Sequence, residues 1–106
     1  MVAPRIGQLN VIRPRELITT SRNLALADVQ KHLYNNGSSA YTLTIPASTF
    51  TADTEIELAC PGTGSFSVLP GSGVTLNGGT VAIVVAAGKG AYLMFYSPNV
   101  AWLYGG

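Results

Sequence analysis

Residues 41–60 read YTLTIPASTFTADTEIELAC. Tyr41, Leu43 and Ile45 alternate with Thr42 and Thr44, and Ile56, Leu58 and Cys60 alternate with Glu55, Glu57 and Ala59. A period of two sends successive side chains to opposite faces of a strand. Each run therefore buries one face and wets the other, and two such runs in 20 residues decide for β structure.

The same signal continues toward the C-terminus. SFSVLP places Phe66 and Val68 on one face, and GVTL does the same with Val74 and Leu76. TVAIVVAA, GAYLMFYSP and AWLYG follow. Turn residues separate the runs at roughly 8 to 12 residues, the spacing of an all-β sandwich or barrel. Asn36-Gly37 in NNGSS favours the positive φ angles of a tight hairpin. Toward the N-terminus the pattern stops. Pro4 and Pro14 each remove a backbone donor and bias the preceding residue to extended forms. RNLALADVQ has room for one helical turn, with Asn23 as its cap. The expectation is an extended arm over residues 1–22, then an all-β domain over residues 23–106: a small antiparallel β-sandwich or jelly-roll-like barrel.

Charge is scarce. Asp, Glu, Lys and Arg make up 10% of the chain, against about 25% in an average soluble domain. A surface so weakly charged repels its neighbours poorly and suits a part of an assembly. The net charge is +1, unevenly placed. Arg5, Arg13, Arg15 and Arg22 stand in the arm against Glu16 alone, whereas the body is weakly acidic. The arm holds no aromatic residue, which argues against nucleic-acid binding. The opening MVAPRIGQLN has no apolar signal segment, and VAIVVAA is far short of the roughly 18 residues of a membrane helix. With Cys60 the sole cysteine, no intrachain disulfide forms. The chain is expected to be made in a reducing cytoplasm and to engage no membrane.

Motifs for chemistry are missing. LPGSGVTLNGG, residues 69–79, lacks the lysine of a Walker-type loop. Its Gly71 and Gly73 fail the dinucleotide pattern at Leu76, and strands follow where a helix N-terminus is needed. These glycines make turns. His32 is the sole histidine, with no nucleophile motif to join it. Cys60 is in phase with Ile56 and Leu58 and reads as a small buried hydrophobe. Glu55 and Glu57 share a face as a solvated edge. No ligand spacing points to a metal, and no cofactor is called for. The expectation is a protein that is not an enzyme.

TVAIVVAA and AYLMFYS are apolar on both faces. Val81, Ile83 and Val85 back Ala82, Val84 and Ala86, and Tyr92, Met94 and Tyr96 back Leu93 and Phe95. Strands without a wet face need a second cover, here expected from further copies in a homotrimer meeting through Val84, Tyr92, Met94 and Tyr96. GTGSFSVLP and GSGVTLNGG look alike but are too short for a solenoid repeat, and read as two similar hairpin arms.

Residues 24–106 resemble a small β module frequent in virion proteins of tailed bacteriophages. Leu24, Ala27, Asp28 and Lys31 match its opening L-x-x-A-D-x-x-K, and YTLTIP its TVTIP-like strand. ADTEIEL follows its G-T-x-I-x-I with Ala52 and Asp53 in the glycine region. GTGSFSVLPGSGVTL is a shortened form of its glycine-valine pattern, and AWLYG, around Trp102, its closing strand. The resemblance implies a virion structural part: a capsid decoration or cement protein on the capsid exterior, bound to the major capsid protein. The short arm would be the anchor, through Arg5, Ile6, Leu9, Val11, Ile12, Arg13 and Arg15. The alternative it implies is a tail fibre or tail-tip module that recognises a host-surface glycan through exposed Tyr and Trp edges.

Overall fold

The computed structural model describes residues 13–105. The expected anchors Arg5, Ile6, Leu9, Val11 and Ile12 lie outside the described residues. The strands are β1 (Arg15–Leu17), β2 (Arg22–Asn23), β3 (His32–Tyr34), β4 (Tyr41–Ile45), β5 (Glu55–Ala59), β6 (Phe66–Pro70), β7 (Thr75–Leu76), β8 (Ile83–Val85), β9 (Gly90–Ser97) and β10 (Val100–Gly105). The fold is all-β. Among the described residues no helix is long and apolar enough to cross a membrane.

Two sheets form, ordered β1-β3-β5-β9-β10-β7 and β2-β4-β6-β8. Successive strands alternate between the sheets from β1 to β6. Each coil of chain thus lays one strand in each sheet, and the next coil stacks on it in parallel. This is a β-solenoid-like stack, closed at its C-terminal end by antiparallel β8, β9 and β10. It corrects the expectation of an antiparallel sandwich or jelly roll. Alternation of apolar and polar residues is the same in a hairpin strand and in a solenoid strand. What differs is the turn between them, and NNGSS is a corner joining two sheets rather than a hairpin.

Asn35 makes that corner. Its side chain is fully buried, donates to the carbonyls of Ser39 (2.8 Å) and Ser65 (3.1 Å), and accepts from the Gly37 amide (3.1 Å). The Ser65 bond ties the corner to the one stacked on it. That second corner carries Gly64, where a Cβ would stand 2.1 Å from the Ser39 carbonyl oxygen. Only glycine lets the two backbones approach so closely.

From the second coil to the third the advance is constant. His32 pairs with Glu57, 25 residues on, and Leu33 with Leu58, Tyr41 with Phe66 and Leu43 with Val68 keep the same step. The real internal repeat is therefore LYNNGSSAYTLTI against LACPGTGSFSVLP; GTGSFSVLP and GSGVTLNGG are not hairpin arms of one kind.

The core lies between the sheets. Leu33, Leu43, Ile45, Ile56, Leu58, Phe66, Val68, Leu93 and Phe95 are at most 1% exposed. Each such side chain contributes about 1.5–3 kcal/mol by leaving water. Cys60 is fully buried and its Sγ lies 3.4 Å from the Val85 carbonyl; burial pushes its thiol pKa up.

The N-terminal end of the core is closed by charge. Glu16 pairs in register with Leu33 and Arg22 with Leu43, so both stand where the core would continue. Arg22 grips buried Asp28 with two bonds (2.8 and 2.9 Å) and reaches Glu16 (3.3 Å), which also holds Lys31 (2.9 Å). Asp28 ends a single 3-10 turn, Leu26–Asp28, and its carboxylate accepts from the Ala25 amide at 2.8 Å. The cap of this turn is thus supplied from Asp28, not from Asn23.

β1 and Arg22 of β2 fall within the residues expected to form the arm. β1 pairs with β3, and the Ile18 amide bonds the Tyr34 carbonyl. From Arg13 onward the chain belongs to the body, because Ile18 and Leu24 are core residues and the intervening charges close its end.

Candidate functional site

The register of the six-stranded sheet aligns five outward residues in one row: Arg15, His32, Glu57, Tyr92 and Tyr104. Each comes from a different strand, and each sits opposite the inward alternation of its own strand. A second row holds Glu55, Met94 and Trp102. The outer face therefore carries polar groups over β1, β3 and β5 and aromatic groups over β9 and β10.

On the polar side His32 Nδ1 lies 2.9 Å from Glu57 Oε1. The Arg13 guanidinium bridges Glu57 (3.2 Å) and Glu55 (3.0 Å), and also donates to Gln30 (2.8 Å). Its side chain is only 9% exposed. Arg15 lies over the Tyr34 ring, 5.8 Å from its centroid, a cation–π placement. Arg13 and Arg15, expected as anchors for another protein, are thus engaged within this body.

On the aromatic side the rings of Tyr92 and Tyr104 stack at 5.0 Å, and the Tyr96 and Tyr104 hydroxyls are hydrogen-bonded to each other. That bond raises the Tyr104 phenol pKa. Tyr92, Tyr96 and Trp102 remain 41%, 52% and 37% exposed. For so much aromatic surface to stay open is what marks contact sites on small proteins.

Between the two sides lies a shallow hollow of about 380 Å³. His32 and Glu57 line one side, Tyr92 and Tyr104 the other, and Ala59 and Gly90 the floor. The hollow exists because the floor residues are small. Ala59 pairs with Gly90 in register, and a Cβ on Gly90 would meet only the Leu58 carbonyl, at 3.6 Å.

Of the residues expected to form one oligomer interface, the structure joins three. Tyr92, Met94 and Tyr96 share the outer face of β9, and Tyr92 stands in the row with His32 and Glu57. Val84 does not join them: it is on β8, in the other sheet, on the outward side of that sheet opposite Ser67. The core lies between Val84 and the other three. Between β8 and β9 the chain changes sheet, at the Ala86–Lys89 turn. Glu55 and Glu57 do share an outward face. Tyr104 and Arg13 were not singled out as members of a site with them. The 25-residue step, which stacks His32 beside Glu57, is the signal that leads there.

Comparison with known protein families, with characterised proteins and with solved structures finds no match, so the role of this face rests on its own chemistry.

Proposed function

We propose that the protein is a non-enzymatic recognition module of a virion surface, and that the outer face of its six-stranded sheet holds a host-surface glycan. The observation that carries this reading is the hollow between the Tyr92–Tyr104 stack and the His32–Glu57 pair. A sugar ring has an apolar C–H face and a rim of hydroxyls. The stacked tyrosines offer a flat surface to the first. The carboxylate of Glu57 offers an acceptor to the second, and so does the imidazole of His32, whose Nδ1 donates to Glu57 and leaves Nε2 to accept. Small-molecule sites are concave, mostly apolar and oriented by a few polar groups. The resemblance to bacteriophage virion modules supports the same reading.

The decoration-protein reading shares that resemblance. It needs an anchor to the major capsid protein, and its described candidates, Arg13 and Arg15, are occupied by Glu55, Glu57 and Tyr34. The exposed aromatic face is the better-supported working surface.

The test is an array of immobilised bacterial surface polysaccharides probed with the wild type and with Tyr104→Ala. The reading expects at least one polysaccharide retained by the wild type and lost by the variant. Retention of none, or equal retention by both proteins, contradicts it.

A further inference from the structure

Among the described residues the two sheets have four edge strands, and three are closed against pairing. β1 follows Pro14, which has no amide hydrogen, and carries Arg15 and Glu16. β2 is two residues long and begins with Arg22. At β7 the chain turns back, so that Leu76 and Gly79 exchange both backbone bonds at 2.8 and 3.0 Å. Short length, charge and self-covering are the usual protections of an exposed edge.

β8 is also short, at three residues, but it has neither the charge nor the self-covering. Residues 80–88 read TVAIVVAAG, without charge or proline. Val81 and Val84 are 71% and 53% exposed. One side of β8 pairs with β6, and the four-stranded sheet ends there. Among the described residues the backbone of residues 80–82 makes no hydrogen bond outside the sheet ladder. A β-branched, uncharged stretch with an open ladder favours strand addition.

We infer that β8 is a self-association edge, which pairs antiparallel with β8 of a second copy about a two-fold axis. A two-fold contact brings the same patch of both copies together. Any net charge on it would therefore meet its own sign, and residues 80–88 carry none. Two four-stranded sheets then become one of eight strands, with Val84 of each copy covered near the axis. So short an edge buries less than the roughly 1,000 Å² of a stable interface, so the dimer is weak, forming in the micromolar range or above. This replaces the trimer expected from the sequence with a dimer.

The experiment is sedimentation velocity of the full chain across a concentration series, with amide hydrogen exchange at the two extremes. Wild-type mass should rise from the 11.0 kDa of one chain toward twice that value, and exchange at residues 80–86 should slow as it does. Val84→Lys should stay monomeric at every concentration, with an unchanged circular dichroism spectrum. A wild type that remains monomeric at the highest concentration overturns the inference. So does a trimer, a Val84→Lys protein that associates like the wild type, or exchange at residues 80–86 that ignores concentration because the chain itself covers the edge.

Discussion

His32 Nδ1 lies 2.9 Å from Glu57 Oε1 although 25 residues separate them. One coil of the stack is all that lies between the two. The pair is therefore a product of the solenoid register and a wall of the candidate site at once. Both side chains are more than a quarter exposed, and such pairs contribute about 0–1 kcal/mol. Glu57→Gln should lower stability in urea by no more than about 1 kcal/mol, while it weakens saccharide retention on the array at least several-fold. Equal binding by the variant removes Glu57 from the site.

Asn35 predicts a far larger loss. Its three hydrogen bonds satisfy two carbonyls and an amide at a corner without solvent access to its side chain. Buried polar groups left unpaired cost about 1–3 kcal/mol each. Asn35→Ala should destabilise by about 3 kcal/mol or more in urea unfolding. A loss below about 1 kcal/mol means the corner is held by something else.

The stacked corners also separate two glycines of the same kind in sequence. A Cβ at Gly64 would meet the Ser39 carbonyl oxygen at 2.1 Å, whereas at Gly73 nothing lies within 4 Å but φ is +84°. Gly64→Ala should cost about 3 kcal/mol or more, since backbone must move. Gly73→Ala should cost about 1–2 kcal/mol, the strain of a left-handed residue. Thermal unfolding of both variants gives the order, and its reversal would falsify coil stacking at Gly64.

Acid should loosen the N-terminal end of the core. Burial alone would raise the Asp28 carboxyl pKa, but hydrogen bonds from Arg22 and from the Ala25 amide outweigh it and hold the group below its ordinary value. The Lys31 bond lowers Glu16 likewise. A proton then binds the unfolded chain more readily than the folded one. The stability due to ionised Asp28 is complete above the ordinary carboxylate value, about 4. It is lost as pH falls from there through the depressed folded value. Asp28→Asn should lower stability at neutral pH by roughly 2–3 kcal/mol and flatten the decline in acid. Urea midpoints measured from about pH 6 to about pH 2.5 decide it, and an undiminished acid slope in Asp28→Asn assigns the decline to other carboxylates.

How far the sequence reaches can be seen at individual residues. Leu43, Ile45, Ile56, Leu58, Cys60, Phe66 and Val68 all point inward as their alternation requires, and all are at most 1% exposed. Alternation fixes the face of each strand but is silent on its partner. Leu43 beside Val68 in parallel looks no different in sequence from two arms of a hairpin. The distinguishing chemistry sits at the corners, in Asn35 and in Gly37, Gly62 and Gly64, and an Asn-Gly pair reads as a hairpin unless the next corner is laid over it. The site shares this limit. Exposed Tyr92 and Tyr96 follow from the two-faced strand, and the antiparallel β9–β10 hairpin sets Tyr104 beside Tyr92, but Arg13 and His32 are brought there only by the stacking order.

The central claim is that the hollow floored by Ala59 and Gly90 receives a sugar ring. Gly90→Val tests it most directly, because the new side chain projects into the hollow, meets no backbone closer than 3.6 Å at its Cβ, and replaces a glycine in a strand with a residue that favours one. The measurement is isothermal titration of wild type and Gly90→Val with an oligosaccharide cut from a retained polysaccharide, beside thermal melts of both. The account predicts a variant at least as stable as the wild type that binds at least tenfold more weakly. A stable Gly90→Val protein that binds as the wild type does contradicts it.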